Sequence, residues 1–402
     1  MTSPMSAPFT RLSLIALAFA TPSLATAQVE QGPANASFEP ASEPQTRAPA
    51  LEATSVTSET FADGLVKPWG ISALPDGQFL VTELPGRMRV ISADGTLSEQ
   101  IEGLPEVDFR GQGGLLDVAV GPDFANDRMI YWSYAKRVED GTVTAAARGV
   151  LSEDMSSLGE VEEIFEQSPA SQATKHYGSR IAFDGEGHVI ITTGEHSDAP
   201  EREKAQDLEA TWGKVIRLNL DGSIPEDNPF ADGGGAPSIW SYGHRNIQSA
   251  AFGPDGTLWT IEHGPLGGDE LNDTRAGLNY GWPVVSYGLN YDSTEVGSGE
   301  ARMEGMEEPT YYWDPVIAPG GMIFYDGEAF PGWQGDILVG SLRPGALVRL
   351  TLEDGRVTGE ERMLTDVGRV RDVEETAEGD ILILIDAEDG AVLRVSPGEA
   401  DD

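Results

Sequence analysis

A unit made of one turn and one short β-rich run recurs six times along this chain. Each copy has Gly or Asp in the turn, followed by aliphatic, aromatic or β-branched residues, as in 378–384 (EGDILIL). The copies centre on residues 77, 127, 187, 256, 335 and 379, about 60 residues apart on average. Repeats of roughly 40–80 residues that each offer about four strands are typical of propeller blades. We therefore expect an all-β fold, a six-bladed β-propeller of four-stranded blades.

The long intervals between some of these units predict large loops. In propellers such loops gather on one face and carry the functional site. We expect the propeller domain to cover residues 55–397, with its longest loops on the face that holds any cofactor, and residues 398–402 to form an acidic tail.

The N-terminal segment has the pattern of a secretory signal. Residues 1–27 carry one charged side chain, Arg11, then the apolar run 12–20, and end in small residues. The run is too short to span a bilayer, so we predict a cleaved signal peptide over 1–27 and a periplasmic or secreted mature protein. Residues 28–54 contain four prolines and few large apolar side chains, which favours a disordered leader rich in Pro, Ala and Glu.

Charge and cysteine content narrow the classes of partner. The net charge of −41 argues against binding nucleic acid or anionic membranes, and no other stretch is long and apolar enough for a membrane span. The chain has no cysteine, which excludes disulfides, a lipid-modified cysteine anchor and covalently attached c-type haem. Any electrons removed from a substrate must therefore pass to an external acceptor. The composition is compatible with a monomer or a homodimer.

Two clusters have the character of an anion site. Arg245 and Asn246 stand together in the loop 242–246. Arg369 and Arg371 are two residues apart, so on a strand they share one face and could clamp carboxylates. A solvent-exposed face would explain the two arginines as well.

Three other segments permit more than one interpretation. Gln112 lies among glycines, which lets a ligand approach the backbone closely. The turn 264–270 (GPLGGDE) offers carbonyls and carboxylates that suit calcium, although a plain acidic turn has the same composition. His176 precedes the short run 181–183, where a histidine can be structural or catalytic.

Taken together and in this order, these motifs resemble the soluble PQQ-dependent aldose and glucose dehydrogenases, where PQQ is pyrroloquinoline quinone. The resemblance covers about residues 60–397 and is strongest over 110–116, 176–183, 239–246, 262–270, 279–283 and 369–373. It implies a six-bladed propeller with PQQ and Ca²⁺ in a polar pocket. It also implies oxidation of an aldose at the anomeric carbon to a lactone, with electrons passed to an external acceptor.

The resemblance also assigns roles to single residues. His176 resembles the general base, and the catalytic set that it implies is His176, Arg245, Gln112 and Glu195. The implied PQQ-binding residues are Gln112, Arg245, Asn246, Arg343, Arg369 and Arg371. Gly264 and Pro265 resemble carbonyl ligands of a calcium beside the quinone, and a second, structural calcium is implied at Glu270, Tyr280, Asp292 and Glu308.

The chain departs from the glucose-oxidising branch at three positions, where Glu195 replaces Asp, Arg343 replaces Lys and Val316 replaces Thr. These departures favour the broader aldose branch. Two alternatives stay open. A calcium-dependent propeller hydrolase such as a lactonase would hold calcium with several side chains at the propeller centre. A non-catalytic sugar- or protein-binding propeller would be expected to have lost His176, Gln112 or Arg245, and all three are present.

Overall fold

The structure, a computed structural model, describes residues 28–197 and 201–398. The described strands form six antiparallel sheets of four strands each, which confirms the predicted six-bladed propeller. The predicted signal peptide and residues 399–402 of the acidic tail lie outside the described residues. Among the helices that the structure describes, none has the length and apolar character needed to cross a membrane.

Strand β1 (Val56–Leu65) comes first in the chain but belongs to the last blade. Blade 1 contains β2 (Pro68–Ala73), β3 (Phe79–Glu83), β4 (Arg87–Ile91) and β5 (Leu97–Gln100). Blade 2 contains β6 (Leu115–Val120), β7 (Met129–Val138), β8 (Gly141–Leu151) and β9 (Leu158–Glu166). Blade 3 contains β10 (Gly178–Phe183), β11 (His188–Thr193), β12 (Lys214–Asn219) and β13 (Ile239–Tyr242).

Blade 4 contains β14 (Ile247–Phe252), β15 (Leu258–Glu262), β16 (Asp269–Asp273) and β17 (Tyr311–Trp313). Blade 5 contains β18 (Pro319–Phe324), β19 (Ile337–Ser341), β20 (Ala346–Glu353) and β21 (Arg356–Met363). Blade 6 contains β22 (Val370–Glu375), β23 (Ile381–Ile385) and β24 (Gly390–Pro397), completed by β1. Two short helices, α1 (Phe124–Asp127) and a 3₁₀ turn (Glu201–Ala205), lie in the connections.

The ring closes by pairing the two ends of the propeller domain. Strand β1 lies antiparallel to β24, with Val56 opposite Pro397 and Leu65 opposite Gly390. The first strand therefore supplies the outer edge of the last blade. Closure of this kind ties the N-terminal part of the domain to its C-terminal part without an extra element.

Each junction between neighbouring blades is filled by its own apolar cluster. Blades 4 and 5, for example, bury Ile261, Trp313, Val339 and Val348 against each other. The repeated β-rich runs supply these side chains because they form the middle strands of the blades. Burial of such residues is worth about 1.5–3 kcal/mol for each large side chain, so the six junctions account for most of the apolar stabilisation of the ring.

The innermost strand of every blade has an irregular register. The shifts fall between Pro68 and Ile71, Leu115 and Val118, Gly178 and Ile181, Ile247 and Ser249, Pro319 and Met322, and Val370 and Asp372. A bulge re-aims the side chains beside it. Four residues inside these steps, Trp69, Leu116, Gln248 and Arg371, accordingly line one shared cavity.

Residues 28–54, which we name the strap, are not a disordered leader, so that prediction was wrong. Ala48 is fully buried against blades 4 and 5, and Ala50 bridges to Glu360 of β21. The backbone and side-chain amides of Asn35 donate to the carboxylate of Asp314 at 2.6–2.9 Å. The strap has too few apolar residues to fold alone. It is ordered because its backbone pairs with β21 and its amides donate to carboxylates of the propeller.

Candidate active site

A cavity of about 580 Å³ lies at one end of the ring. Most of its lining residues stand just before or at the start of the first strand of a blade, as Gln112 and Arg371 do, or just after the second strand, as Asp386 does. Because first and second strands are antiparallel, these two positions meet on the same face of the propeller. Five residues of the predicted PQQ set line this cavity, and they are Gln112, Asn246, Arg343, Arg369 and Arg371.

His176 is not itself a lining residue, but it precedes Tyr177 and Gly178, which line the cavity, and only 6% of its surface is exposed. Its backbone N–H donates to Gln112 Oε1 at 2.8 Å, and its Nδ1 lies 2.9 Å from Glu195 Oε2. The backbone φ of His176 is +47°, in the left-handed region that side chains rarely adopt. Such strain is concentrated at functional sites, because the surrounding contacts must hold it.

The carboxylate of Glu195 is fully buried and nevertheless favours its charged form. Burial raises its pKa, but the neighbouring His176 and Arg245 and the N–H of Ser197 outweigh burial, so the pKa lies below the ordinary 4.5. Its other oxygen, Oε1, accepts the indole N–H of Trp282 at 3.1 Å. Glu195 is therefore an acceptor only, and the proton between it and His176 belongs to the imidazole Nδ1.

Burial acts on His176 in the opposite sense. Desolvation and the positive charge of Arg245 lower its pKa below the ordinary 6.5, although Glu195 acts to raise it. At neutral pH the imidazole is neutral, with its proton on Nδ1 facing Glu195 and an unprotonated Nε2. A neutral imidazole whose tautomer is held in this way can accept a proton from a ligand in the cavity.

Arg245 is 4% exposed and contacts the turn predicted to hold calcium. Its Nη1 donates to the carbonyl oxygens of His263 and Gly264 at 2.9 and 2.8 Å. Its Nε has no partner among the described residues, although it is buried. The neighbouring Asn246 accepts the N–H of Gly178 and lies 3.4 Å from His263 Nδ1, which orients its amide beside the cavity.

Arg369 and Arg371 share one face of the strand region, as their spacing predicted. Both bind the carboxylate of Asp386, at 3.0 and 3.3 Å, and Arg371 also donates to Gln248 at 3.0 Å. The Nε of Arg371 is buried and has no partner within 28–197 and 201–398. Arg343 is exposed at the cavity, and no ion pair joins it to another described residue.

These unpartnered donors test whether a polyanionic cofactor fits. A buried N–H without a partner is costly, and its usual explanation is a ligand or water at that point. One such donor belongs to Arg371, which lines the cavity, and the other to Arg245, whose chain neighbour Asn246 lines it together with further polar side chains such as Gln112. The arrangement fits a flat ligand that bears several carboxylate and carbonyl oxygens.

The residues predicted to hold calcium beside the cofactor fit in part. The carbonyl oxygen of Gly264 already accepts a cationic donor, Arg245 Nη1. Gly264 and Pro265 are both buried in the turn that precedes β16. The Gly264 N–H is fixed on Asp269 at 2.7 Å, which orients the peptide. The turn therefore presents a backbone oxygen to a positive charge near the cavity.

The second calcium site is not formed by the four predicted residues as a set. Asp292 is exposed and caps its own turn on Thr294. Tyr280 donates to the carbonyl of Asp273, and Glu308 accepts from Tyr287 and Gln45. Burial raises the pKa of Glu270, and the nearby charges of Glu262 and Glu308 raise it further. In the described parts of the chain, no three His, Cys, Asp or Glu side chains are placed to hold a metal.

Sequence reasoning missed several cavity residues. Trp69 and Gln248 reach the cavity only because bulges re-aim them, and a bulge has no signature in a strand pattern. Asp386 binds both arginines, and the only sequence feature that could have indicated it is its position just after a predicted strand. Val316, which replaces Thr of the glucose-oxidising branch, does not line the cavity.

Comparisons with known proteins agree with this geometry. A family model described as Glucose / Sorbosone dehydrogenase matches residues 65–394. Aldose sugar dehydrogenase YliI of Escherichia coli is 40% identical over 85% of this chain and 93% of its own length.

Two solved structures show the same fold. The apo form of the E. coli soluble aldose sugar dehydrogenase has a TM-score of 0.82 and 39% identity, covering 86% of this chain and all of that one. The PQQ-bound aldose sugar dehydrogenase from Streptomyces coelicolor has a TM-score of 0.70 and 27% identity, covering 87% of this chain and all of that one. The chain belongs to the glucose/sorbosone dehydrogenase family.

Proposed function

We propose that this protein oxidises aldose sugars at the anomeric carbon to lactones, with PQQ and calcium, and passes the electrons to an external acceptor. The observation that carries the proposal is His176, hydrogen-bonded to Glu195 and directly preceding the cavity-lining Tyr177, beside a cavity lined by Arg371, whose Nε has no described partner. The PQQ-bound relative from S. coelicolor supports the choice of cofactor.

The chain's own residues divide the work of this reaction. Arg371 and Arg369, anchored on Asp386, would bind cofactor carboxylates, and Asn246 and Gln112 would orient the cofactor and the sugar. His176 Nε2 would take the proton of the anomeric hydroxyl, which weakens the bond from the anomeric carbon to its hydrogen. When bound, PQQ supplies the two-electron oxidant that receives this hydrogen as hydride. Arg245 would stabilise negative charge on quinone oxygen.

The residues at the centre of the ring do not favour the hydrolase alternative. Arg180 of β10 contacts Asp117 of β6 at 2.9 Å and Asp372 of β22 at 3.1 Å, so it lies on the propeller axis. A calcium-dependent lactonase would place its metal there, among side-chain oxygens. Here a guanidinium holds the axial carboxylates.

Cofactor reconstitution tests the proposal directly. Purified protein given PQQ, calcium and an aldose is expected to reduce a dye mediator and not NAD, because the dye would serve as the external acceptor of electrons from reduced PQQ. Robust NAD reduction, or lactone hydrolysis without dye reduction, would contradict the proposal.

Calcium removal tests the metal separately. Prolonged EDTA treatment is expected to abolish dye reduction, and calcium with PQQ to restore it. Point mutation of Gly264 or Pro265 should perturb the site less than chelation, because the proposed ligands are backbone oxygens that a change of side chain leaves in place. Restoration by PQQ alone in calcium-free buffer would remove calcium from the proposal.

A further inference from the structure

Trp282 contacts both the acid that orients the base and the cation that faces the cavity. Its indole N–H donates to Glu195 Oε1 at 3.1 Å. The guanidinium carbon of Arg245 lies 5.2 Å from the centre of its ring, and that of Arg202 lies 5.5 Å away. The residue is buried, at 6% exposure.

The backbone around Trp282 is also fixed from two directions. Its N–H donates to the carbonyl of Gly243 at 2.8 Å, and its carbonyl accepts the side-chain amide of Gln206 at 2.7 Å. These bonds hold the backbone that carries the indole in place beside Glu195. An indole N–H can only donate a hydrogen bond, so this contact requires that Glu195 Oε1 act as an acceptor.

The hydrogen bonds to Glu195 are divided between its two oxygens. His176 Nδ1 and the Ser197 N–H use Oε2, and Trp282 is the partner of Oε1. With His176 neutral, this pair is a buried anion, and each donated hydrogen bond stabilises it. No other donor in the described parts of the chain reaches Oε1, so loss of the indole N–H would leave this oxygen of a fully buried carboxylate without its described partner.

We propose that Trp282 is a positioning residue of the oxidation, which holds Glu195 beneath His176 through its N–H and holds Arg245 at the cavity through its ring face. The kinetic part of this inference rests on the proposed function, whereas the structural part does not. One residue would then set the geometry of both the proton acceptor and the cation.

Other charged and titratable groups also face the His176–Glu195 pair. They are Arg245, Lys175, His196 and His263. Burial lowers the pKa of His196 to about 4 and lowers that of His263 well below its ordinary range, so both stay neutral at pH 6–8. Within that range neither of these two imidazoles changes its charge, so the titration of the pair depends on its own hydrogen bonds and on the electrostatic effect of Arg245, which lowers the pKa of His176.

The direct test is the titration of His176 in the cofactor-free protein. The chain has only five histidines, so each imidazole resonance can be assigned by substitution and followed by NMR. Trp282→Phe keeps a ring beside Arg245 but removes the N–H. Because the deprotonated pair loses a donor, it should keep its last proton to higher pH, and the His176 midpoint should rise by about one pH unit.

Two controls separate positioning from general packing. Trp313→Phe removes an indole N–H from another buried carboxylate, Glu360, at 3.2 Å. It should lower the melting temperature without moving His176. In a Glu195→Gln background, Trp282→Phe should produce no further shift, because the carboxylate that the indole serves is gone.

The ring face is tested by comparing Trp282→Phe with Trp282→Ala. Only the alanine variant loses the aromatic surface beneath Arg245, so only it should weaken PQQ binding, by about tenfold, in fluorescence titrations. With reconstituted enzyme, the acid limb of kcat/KM for the sugar should move in the same direction as the NMR midpoint in Trp282→Phe.

A Trp282→Phe protein with an unshifted His176 midpoint and only a lower melting temperature would overturn the inference. So would an equal shift in Trp313→Phe. If the wild type shows no PQQ-dependent activity, the proposed function fails. The His176 titration would still decide whether Trp282 positions the pair.

Discussion

At the scale of single residues, burial and neighbouring charges together set the protonation of His176 and Glu195. The imidazole of His176 is kept neutral, and the carboxylate of Glu195 is kept charged by the donors around it. Neither state follows from residue type alone. The pair is ready to accept a proton at neutral pH because both effects act at one place.

His176→Gln separates catalysis from cofactor binding. Glutamine keeps a similar size but cannot accept the proton, so kcat is expected to fall by about 10²–10⁴-fold with PQQ affinity unchanged. Arg371→Ala should instead weaken PQQ binding, and excess PQQ should recover much of its activity. Steady-state kinetics at several PQQ concentrations distinguish the two. Near-normal kcat in folded His176→Gln protein would remove His176 from the mechanism.

The pH dependence follows from the lowered pKa of His176. Activity needs the neutral imidazole, so it is lost as pH falls through that pKa, which lies below the ordinary 6.5. The acid limb of kcat/KM for the sugar, measured with reconstituted enzyme, is therefore expected below pH 6.5. An acid limb well above pH 7 would mean that the imidazole is charged in the free enzyme.

At the scale of elements, the strap extends the propeller beyond its six repeats. It buries Ala48, and Gln31 donates to the buried carboxylate of Glu360 at 3.1 Å. None of its residues lines the 580 Å³ cavity. Its contribution is therefore expected in stability and not in catalysis.

Deletion of residues 28–54 tests this division. The loss of its buried contacts should lower the free energy of unfolding by at least about 2 kcal/mol, with kcat and KM unchanged. Thermal melts and dye-linked kinetics on the shortened protein measure the two effects. Glu52→Gln, a change at an exposed strap position, serves as control. An unchanged melting temperature would show that the strap contacts add nothing.

At the scale of the whole molecule, buried carboxylates on the propeller axis link stability to pH. Arg180 serves Asp117, Asp372 and the nearby Glu374, so one positive charge faces three acids. Burial raises the pKa of Asp117 and raises that of Glu374 to about 7. The folded protein thus holds protons that the unfolded chain releases near pH 4.

These raised pKa values predict that stability falls as pH rises. The stabilisation that these raised pKa values give the folded state is fully present below the unfolded pKa near 4.5 and is lost by about pH 7. For Glu374 the loss amounts to about 3 kcal/mol of unfolding free energy. The net charge of −41 acts in the same direction, and added salt should offset part of it. Melting temperatures of the cofactor-free protein at pH 5–8 are expected to decline, and less steeply in Glu374→Gln. A rise over this range would contradict the assignment.

The repeated turn-and-strand units determined the six-bladed ring, because period and turn chemistry are local properties of the chain. The ordered motifs also singled out His176, Gln112 and the arginines, through the family that they resemble, because each motif is a short run of neighbouring residues. Only the tertiary structure decided that Asp386 holds Arg369 and Arg371, that Trp282 meets Glu195 from 87 residues away, and that the strap is ordered. Such contacts depend on bulges and ring closure, which bring together residues whose separation along the chain carries no signal.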